Sequence, residues 1–371
     1  MKVLYITTVP TPYKVDFFEE LGKLCELTVL FENETVSYRA DGWMKNSFTN
    51  FRGFFLKGIK IKDIKISLEI KKFIKKEKYD SIVIGVYSTI SQMIVQQFMI
   101  NHKIKYIISS DGGIKKEDSG IKHFIKKHFI SSASAWLSTG KITTNYLKYY
   151  GANLKNIYVY PFTSVSENDI LEKPLSSREK EIYRIKLGIK ENKVVLSVGQ
   201  FIYRKGYDNL LKTCKNLDKN IGIYIVGGKP TEEYIQMQRE LNLTNVYFVD
   251  FMKKEQLADY YKAADLFVLP TREDIWGLVI NEAMAYGLPV ITTNKCVAGM
   301  EMINENGKIC NVDADWVKEI TELITNKNRG MMAEKSIEII KQYSIENMAR
   351  LHYDIFSEIV KEEKNEYPCM W

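Results

Sequence analysis

The residues of this chain best suited to chemistry lie in one segment, residues 270–289, PTREDIWGLVINEAMAYGLP. Asp274 and Glu282 are eight positions apart, and Gly277 lies between them at the predicted start of a helix. The N-terminus of a helix offers unpaired N–H groups and a partial positive charge, which suit a phosphate group. A carboxylate one turn further along can accept hydrogen bonds from neighbouring hydroxyl groups. The segment therefore predicts a nucleotide-sugar site, and the alternative is an ordinary strand–loop–helix unit with solvated acids.

Two other loops follow predicted strands and carry candidate groups. In GQFIYRKG (199–206), Arg204 and Lys205 precede a helix, and two cations at that place suit a diphosphate, although a solvated basic turn is the alternative. In DGG (111–113), Asp111 is a candidate acceptor for a sugar hydroxyl, although a plain Asp-Gly turn explains these residues equally well. Ligands of open parallel sheets bind beyond the carboxyl ends of the strands, so these three strand ends matter most, together with the one after the first predicted strand, TTVPTPYKVDFF (7–18).

Short apolar segments typical of buried strands alternate with helical patterns along the whole chain. This alternation predicts βαβ units and parallel sheets. A chain of 371 residues is long enough for two domains, so we expect two Rossmann-like sheets. The predicted strands are 2–8, 26–32, 80–87, 105–110, 135–139 and 156–162 in the first half, and 193–201, 222–228, 245–251, 265–270 and 289–293 in the second.

Charge is distributed unevenly along the sequence. Residues 1–160 contain 25 Lys and Arg against 14 Asp and Glu, an excess of 11 positive charges, whereas the whole chain carries +7. A basic first half predicts an anionic partner that the second half does not share. No interleaved stacking aromatics or nucleic-acid motif accompany these cations, so we expect a membrane surface and no nucleic acid.

One basic segment is amphipathic. SGIKHFIKKHFI (119–130) places its Ile and Phe residues near one helical face and its lysines largely outside that face. Together with Lys115, Lys116 and the Lys-rich residues 71–78, it predicts a surface for an anionic bilayer. The alternative is an ordinary packed helix with a wet basic side.

The composition also indicates a compartment. No apolar run reaches membrane-spanning length, and the apolar segment before Pro10 is too short for a signal peptide. The five cysteines, at positions 25, 214, 296, 310 and 369, form no CxxC pair, so we expect neither a disulfide framework nor a zinc site. A cytoplasmic protein, peripheral on the inner face of the cell membrane, is the expected location.

These motifs resemble those of the retaining glycosyltransferases of family 4, which have the GT-B architecture. The resemblance covers nearly the whole chain and is strongest over residues 198–289. The E-x7-E pattern of that family corresponds to Asp274-x7-Glu282, and its E-A-M-A-x-G-x-P sequence continues to Pro289. The family's G-R-x4-K-G pattern corresponds to residues 199–206, with Gln200 in place of the usual Arg.

The resemblance implies a role for each matching residue on the donor side. Glu282 would bind the ribose hydroxyls, and Asp274 or the adjacent Glu273 would contact the donor sugar. The diphosphate would be bound by residues that offer backbone N–H groups or positive charge: Gly277, Leu278, Val279, Gly199, Gln200, Lys205 and, in place of the missing arginine, Arg204.

On the acceptor side the family often has a histidine after a strand, and Asp111 occupies about that position. The glycine pair common after the first strand is replaced by residues 10–13, PTPY. No acidic pair of the kind that holds a catalytic metal ion is evident. The resemblance therefore implies transfer without a metal or a resident cofactor, in which the leaving diphosphate helps to deprotonate the incoming hydroxyl.

The resemblance implies a GT-B protein with two domains facing a central cleft. Residues 1–165, joined by a C-terminal helix at 346–371, would form the acceptor domain, and residues 166–345 the donor domain. The expected reaction moves a hexose from a nucleotide sugar, with UDP as the expected nucleotide, to a lipid-linked glycan in surface-polysaccharide synthesis. A nucleotide-sugar epimerase of the same architecture and a non-catalytic two-lobed sugar-binding protein are the alternatives.

Overall fold

The computed structural model describes residues 1–34, 48–61, 64–116, 118 and 120–366. Of the residues considered above, Ser119, Cys369 and the last residues of the expected C-terminal helix, 367–371, lie outside these ranges. The chain divides into two compact units, the first comprising Met1–Ser164 with Ser344–Trp371, and the second comprising Val165–Tyr343.

The strands of the first unit are β1 (Lys2–Thr7), β2 (Glu26–Phe31), β3 (Arg52–Phe55), β4 (Ile59–Ile61), β5 (Ile64–Ile66), β6 (Ser81–Ile84), β7 (Ile107–Ser110), β8 (Ala135–Ser138) and β9 (Ile157–Val159). Seven of them form a parallel sheet with the order β3-β2-β1-β6-β7-β8-β9. A short antiparallel hairpin, β4-β5, lies outside this sheet. The helices of the first unit are α1 (Pro12–Gly22), α2 (Ile70–Lys76), α3 (Ile90–Asn101), α4 (Gly120–Ser131), α5 (Lys141–Tyr149) and the late helix α14 (Ile345–Glu366).

The second unit is built on a six-stranded parallel sheet with the order β12-β11-β10-β13-β14-β15. Its strands are β10 (Lys193–Val198), β11 (Ile221–Val226), β12 (Val246–Val249), β13 (Leu266–Leu269), β14 (Val290–Thr293) and β15 (Gly307–Cys310). Its helices are α6 (Ser177–Leu187), α7 (Tyr207–Cys214), α8 (Glu232–Glu240), α9 (Lys254–Ala263), α10 (Leu278–Ala285), α11 (Val297–Met302), α12 (Trp316–Ile324) and α13 (Arg329–Ile340).

The strands that carry the candidate site are buried on both faces because helices cover both sides of each parallel sheet. All four residues of β6, β7, β8, β13 and β14 are buried, as are all six of β11. Burial of this kind fixes the strands, so the loops at their carboxyl ends have defined positions.

The late helix α14 packs against α1 within the first unit. His352 of α14 is buried, contacts the ring of Phe17 and bonds through Nδ1 to the Met348 carbonyl at 2.7 Å. Burial lowers the pKa of His352 to about 4, so this imidazole is neutral near pH 7 and serves the core. Within the described ranges, no helix combines the length and the apolar character needed to cross a membrane.

Candidate active site

The loops that follow β10 and β13 carry most of the predicted site residues. These two strands are neighbours, with Val195 paired to Leu266 and Leu196 to Phe267. The strand order runs outward from β10 in one direction and from β13 in the other. This reversal is the position at which open parallel sheets bind ligands.

The two loops are held together by their backbones. Gly206 has a φ of +71°, and a Cβ at that position would lie 2.0 Å from the Pro270 carbonyl oxygen, so only glycine permits the contact. The Arg204 carbonyl accepts hydrogen bonds from the Arg272 N–H at 2.8 Å and from the Thr271 hydroxyl at 2.9 Å. The loop that carries Lys205 is therefore fixed against the loop that carries Asp274.

A buried ion pair joins the same two loops. Lys205 Nζ lies 2.6 Å from Asp274 Oδ2, and the two residues are 9% and 8% exposed. Arg204 Nη1 lies 3.4 Å from the same carboxylate oxygen and donates to the Glu273 carbonyl at 2.7 Å. The structure thus brings together four predicted residues, and the side chains of Lys205, Arg204 and Asp274 carry one net positive charge.

The helix that follows begins at a tightly packed glycine. Gly277 has a φ of +106°, and a Cβ there would lie 2.7 Å from Cys296 Sγ. That thiol donates to the Trp276 carbonyl at 3.0 Å, and burial raises the pKa of Cys296 to about 12, so the sulfur is a packing group. Leu278 and Val279 then open α10, where the first N–H groups of a helix have no intrahelical acceptor.

Glu282 lies on the second turn of α10. It accepts a hydrogen bond from the Tyr261 hydroxyl at 2.9 Å. The Tyr261 ring is buried and stacks on Tyr286 with ring centroids 5.2 Å apart. Burial raises the pKa of Tyr261 well above its ordinary value, so its hydroxyl remains a donor that orients the Glu282 carboxylate.

The two residues that follow β10 have different surroundings. Gly199 accepts a hydrogen bond from the Tyr207 hydroxyl at 3.3 Å and lies so close to Gly227 that a Cβ on Gly227 would be 1.9 Å from its carbonyl oxygen. Gln200 is exposed, and its carbonyl accepts the Ile202 N–H at 2.9 Å. The described contacts therefore give Gly199 a close-packing role and leave Gln200 at the surface of the loop.

Asp111 belongs to the first unit, where it follows β7. Its carboxylate lies 3.6 Å from Lys14 Nζ and accepts the Tyr160 hydroxyl at 3.4 Å. Lys14 also donates to Thr7 at 3.0 Å, so the ammonium group links the ends of β1 and β7. Aromatic side chains, including Tyr13 and Phe162, line the small pocket beside this pair.

Sequence reasoning did not identify Tyr261 or Lys14 as parts of these sites. Tyr261 lies in the apolar pattern of α9, where a tyrosine with a functional partner has the same spacing as a core residue. Lys14 carried a usable signal, since it lies in the first turn of the helix that follows the first strand. Within the described ranges, no group of three or more His, Cys, Asp or Glu side chains is arranged to hold a metal ion.

The second unit of this chain is similar in sequence to known proteins. Residues 179–343 match the family model described as glycosyl transferases group 1. The chain is 33% identical over 174 residues to an uncharacterized glycosyltransferase of Haemophilus influenzae, covering 44% of this chain and 48% of that protein. It is 29% identical over 171 residues to the lipopolysaccharide glucosyltransferase WaaG of Escherichia coli, covering 44% of this chain and 45% of WaaG. The matches thus span about half the length of these relatives.

The fold has close counterparts among solved structures. The crystal structure of Anabaena HepE in complex with UDP and glucose matches with a TM-score of 0.72 at 15% identity, over 98% of this chain and 100% of that chain. Two parallel-sheet α/β units with such neighbours define the GT-B fold, which confirms the fold class predicted from the sequence. The donor-side residues named above all lie within the matched segment 179–343.

The packing around Gly277 predicts a measurable loss of stability on substitution. In Gly277→Ala, the positive φ costs about 1–2 kcal/mol, and the contact with Cys296 Sγ adds about 1–3 kcal/mol. Gly228→Ala is the matched control, because Gly228 has a φ of +103° but a Cβ added there would have no described atom within 4 Å. Chemical denaturation should show a free-energy loss for Gly277→Ala that exceeds the control by about 1 kcal/mol or more. Equal losses of unfolding free energy in the two variants would mean that the contact with Cys296 Sγ does not destabilise Gly277→Ala.

Proposed function

We propose that this chain is a retaining glycosyltransferase that moves a hexose from a UDP-sugar to a hydroxyl of a lipid-linked glycan. The observation that carries the proposal is the cluster of Lys205, Arg204 and Asp274 beside the N-terminus of α10, with Glu282 one turn further on. The cluster lies where the strand order of its sheet reverses, and the family match covers all of these residues.

In the proposed complex, each donor group has a chemically matched partner. The diphosphate accepts hydrogen bonds from the N–H groups of Leu278 and Val279, and its negative charge pairs with the cations of Lys205 and Arg204. Glu282, oriented by Tyr261, accepts the ribose hydroxyls.

In the proposed complex, the donor replaces one partner in the ion pair that Lys205 and Asp274 form in the ligand-free chain. Because Lys205 is bonded to Asp274, an arriving diphosphate must take over the ammonium group. Asp274 then becomes available to accept hydroxyls of the donor sugar, with Glu273 as the adjacent candidate. Arg204, at 3.4 Å from Asp274 and more exposed than Lys205, can contact the diphosphate at the same time.

The proposed reaction needs no protein group as a general base. As the bond from the anomeric carbon to the diphosphate breaks, a bond to the acceptor oxygen forms on the same face of the sugar. The acceptor proton passes to an oxygen of the leaving diphosphate. Lys205, Arg204 and the helix N-terminus stabilise the negative charge that grows there, which is the largest contribution expected from the protein. We propose that this stabilisation requires no metal ion.

Donor and acceptor identities rest on different supports. A neighbour of the same fold binds UDP and glucose, which supports a uridine nucleotide and a hexose. A relative that matches the second unit is a lipopolysaccharide glucosyltransferase, which supports a role in surface-polysaccharide synthesis. On the acceptor side, we propose that Asp111, held by Lys14 and Tyr160, accepts a hydroxyl of the glycan.

The reaction predicts release of UDP from a UDP-hexose, detected in the presence of EDTA because no metal ion is required. Lys205→Gln should lower kcat by about 100-fold or more, since it removes charge stabilisation from the leaving group. Lys212→Gln is the matched control, because Lys212 is an exposed lysine on α7 whose nearest carboxylate is 3.8 Å away.

The products separate the proposal from its alternatives. An epimerase would yield an isomeric nucleotide sugar, and a binding protein would yield no product. Unchanged turnover in Lys205→Gln, or activity abolished by EDTA and restored by Mg²⁺, would contradict the proposed chemistry.

We further propose that the first unit lies on an anionic membrane surface, at the inner face of the cell membrane. The support is α4, whose twelve residues are all described and include only one that is buried, Ile130. Ile121 and Phe124 are 79% and 70% exposed, and the neighbouring Lys122 and Lys127 are exposed as well. An amphipathic helix usually turns such apolar residues inward, so this exposed pair favours contact with a bilayer.

The polar contacts of α4 hold it in this orientation. Lys126 pairs with Asp118 at 2.8 Å, and the buried Tyr150 donates its hydroxyl to the same carboxylate. Lys126 is therefore turned toward the protein. Lys122 Nζ lies 3.9 Å from the same carboxylate but remains exposed, as does Lys127. Lys115 lies over the half-exposed ring of Tyr149 at 4.3 Å, which adds an aromatic group suited to a membrane interface.

Vesicle flotation tests the membrane proposal. The double substitution Ile121→Ser with Phe124→Ser should weaken binding to anionic vesicles by about tenfold or more, because each buried apolar side chain contributes about 1.5–3 kcal/mol. Ile182→Ser with Ile185→Ser, a similarly exposed pair on α6 at 62% and 73%, is the matched control and should leave binding unchanged. Equal binding of wild-type protein to neutral and anionic vesicles would contradict the proposal.

A further inference from the structure

A second cavity lies in the first unit, beside the edge of its sheet. It has a volume of about 250 Å³ and opens between β3, the edge strand, and α2. Aromatic, cationic and acidic side chains share its walls, among them Phe54, Phe73, Lys72, Lys76, Glu69 and Glu77. We call this cavity the β3–α2 groove. Neither the family match nor the proposed transfer reaction assigns it a role.

One side of the β3–α2 groove is aromatic. The rings of Phe54 and Phe73 lie 5.1 Å apart, and Phe54 is 41% exposed although it belongs to a strand. An aromatic pair that remains open to solvent at the wall of a cavity can bind an apolar or unsaturated group, since contact with such a group removes both partners from water.

The other side of the β3–α2 groove has an excess of positive charge, with three cationic and two acidic side chains in its lining. Glu77 is engaged by Arg52, with contacts of 3.0 and 3.5 Å, and Glu69 accepts the backbone N–H of Lys57 at 2.8 Å. Lys72 and Lys76 are exposed and stand one helical turn apart, and neither forms an ion pair with another residue in the described ranges. Two ammonium groups at this spacing suit an anion with several oxygen atoms, such as a phosphate.

The lysines of α2 fall into two pairs with different surroundings. Lys71 and Lys75 each lie 5.4 Å from the ring centre of Phe98 on α3, so their stems are committed to the packing of neighbouring helices. Lys72 and Lys76 line the β3–α2 groove instead. The sequence presents the lysines of residues 71–78 as one basic surface. The fold separates them into one pair that packs against α3 and one pair that lines the groove.

The β3–α2 groove is separate from the Asp111 pocket of the same unit. Arg52 is paired in register with Thr28, in the first half of β2, and donates to its hydroxyl at 2.9 Å. The groove thus reaches toward the amino ends of the strands. Asp111 follows β7 and lies at the carboxyl ends, where the acceptor is proposed to bind.

We propose that the β3–α2 groove binds an amphipathic phosphate ester, with its phosphate on Lys72 and Lys76 and its apolar part on Phe54 and Phe73. The volume of the cavity suits a phosphate with a short hydrocarbon chain rather than a complete nucleotide sugar. A membrane lipid with a phosphate headgroup and a soluble phosphate ester share this chemistry. This proposed binding site does not depend on the transfer reaction, so the two proposals can be tested separately.

Calorimetric titration of the full chain tests this binding site, with geranyl phosphate as the amphipathic probe below its micelle-forming concentration. The double substitution Lys72→Gln with Lys76→Gln should weaken binding by about tenfold or more, which corresponds to about 1.4 kcal/mol. Lys71→Gln with Lys75→Gln is the matched control on the same helix and should bind as the wild type does. Phe54→Ser should also weaken binding, and inorganic phosphate should bind the wild type more weakly than geranyl phosphate.

Vesicles distinguish the two sources of the ligand. Preference for phosphatidic acid over phosphatidylglycerol that is lost in Lys72→Gln with Lys76→Gln would support the site and identify a lipid headgroup. Titration with geranyl phosphate but no such preference would support the site and identify a soluble ester. Equal affinity of this double variant and the wild type for geranyl phosphate would overturn the proposal, as would equal affinity of the wild type for geranyl phosphate and inorganic phosphate. UDP release should be unchanged in this variant, so a failure here is distinct from a failure of the proposed transfer reaction.

Discussion

The ion pair between Lys205 and Asp274 is the constraint on which the donor side of this protein depends. Both residues are almost fully buried, and a buried charge without a partner costs several kcal/mol. Each side chain therefore requires the other in the ligand-free chain, and the loops that carry them must stay in contact. Gly206 permits that contact because its missing Cβ leaves room for the Pro270 carbonyl oxygen. A phosphate is one of the few partners that can replace Asp274 at the ammonium group without leaving it unpaired.

The two units present positive charge in different ways. In the second unit, cations are buried or half-buried beside acidic partners at the carboxyl ends of the strands, which suits one small anionic ligand. In the first unit, Lys72 and Lys76 of α2 and Lys122 and Lys127 of α4 are exposed. Solvent-facing aromatic or aliphatic side chains such as Phe54, Ile121 and Phe124 lie on the same elements or beside them. That combination suits amphipathic anions, and it offers a physical reason for the excess of basic residues in the first half of the sequence.

The sequence predicted the fold class well because its strands are buried on both faces and therefore read as short, mainly apolar segments. Segments such as residues 265–270 and 289–293 correspond to β13 and β14, and the GT-B fold was confirmed. The proximity of Lys205 to Asp274 followed from a general rule, since loops at the carboxyl ends of adjacent parallel strands must lie near each other. The chemical roles assigned to these residues remain predictions.

Other features depended on side-chain packing that spacing alone does not encode. Tyr261 has the helical spacing of a core residue, and only its contact with Glu282 distinguishes it. The sequence likewise left open whether α4 buries its apolar residues, because an amphipathic pattern does not say what covers the helix. The division of the α2 lysines between Phe98 and the β3–α2 groove also required the positions of α3 and β3.

The most direct test of the central claim is a crystal structure of the protein with UDP bound. We expect the diphosphate to lie at the N–H groups of Leu278 and Val279, and Lys205 Nζ to have moved from Asp274 onto a phosphate oxygen. The ribose hydroxyls should lie within hydrogen-bonding distance of Glu282. A nucleotide bound elsewhere, or a diphosphate remote from an intact Lys205–Asp274 pair, would contradict the account.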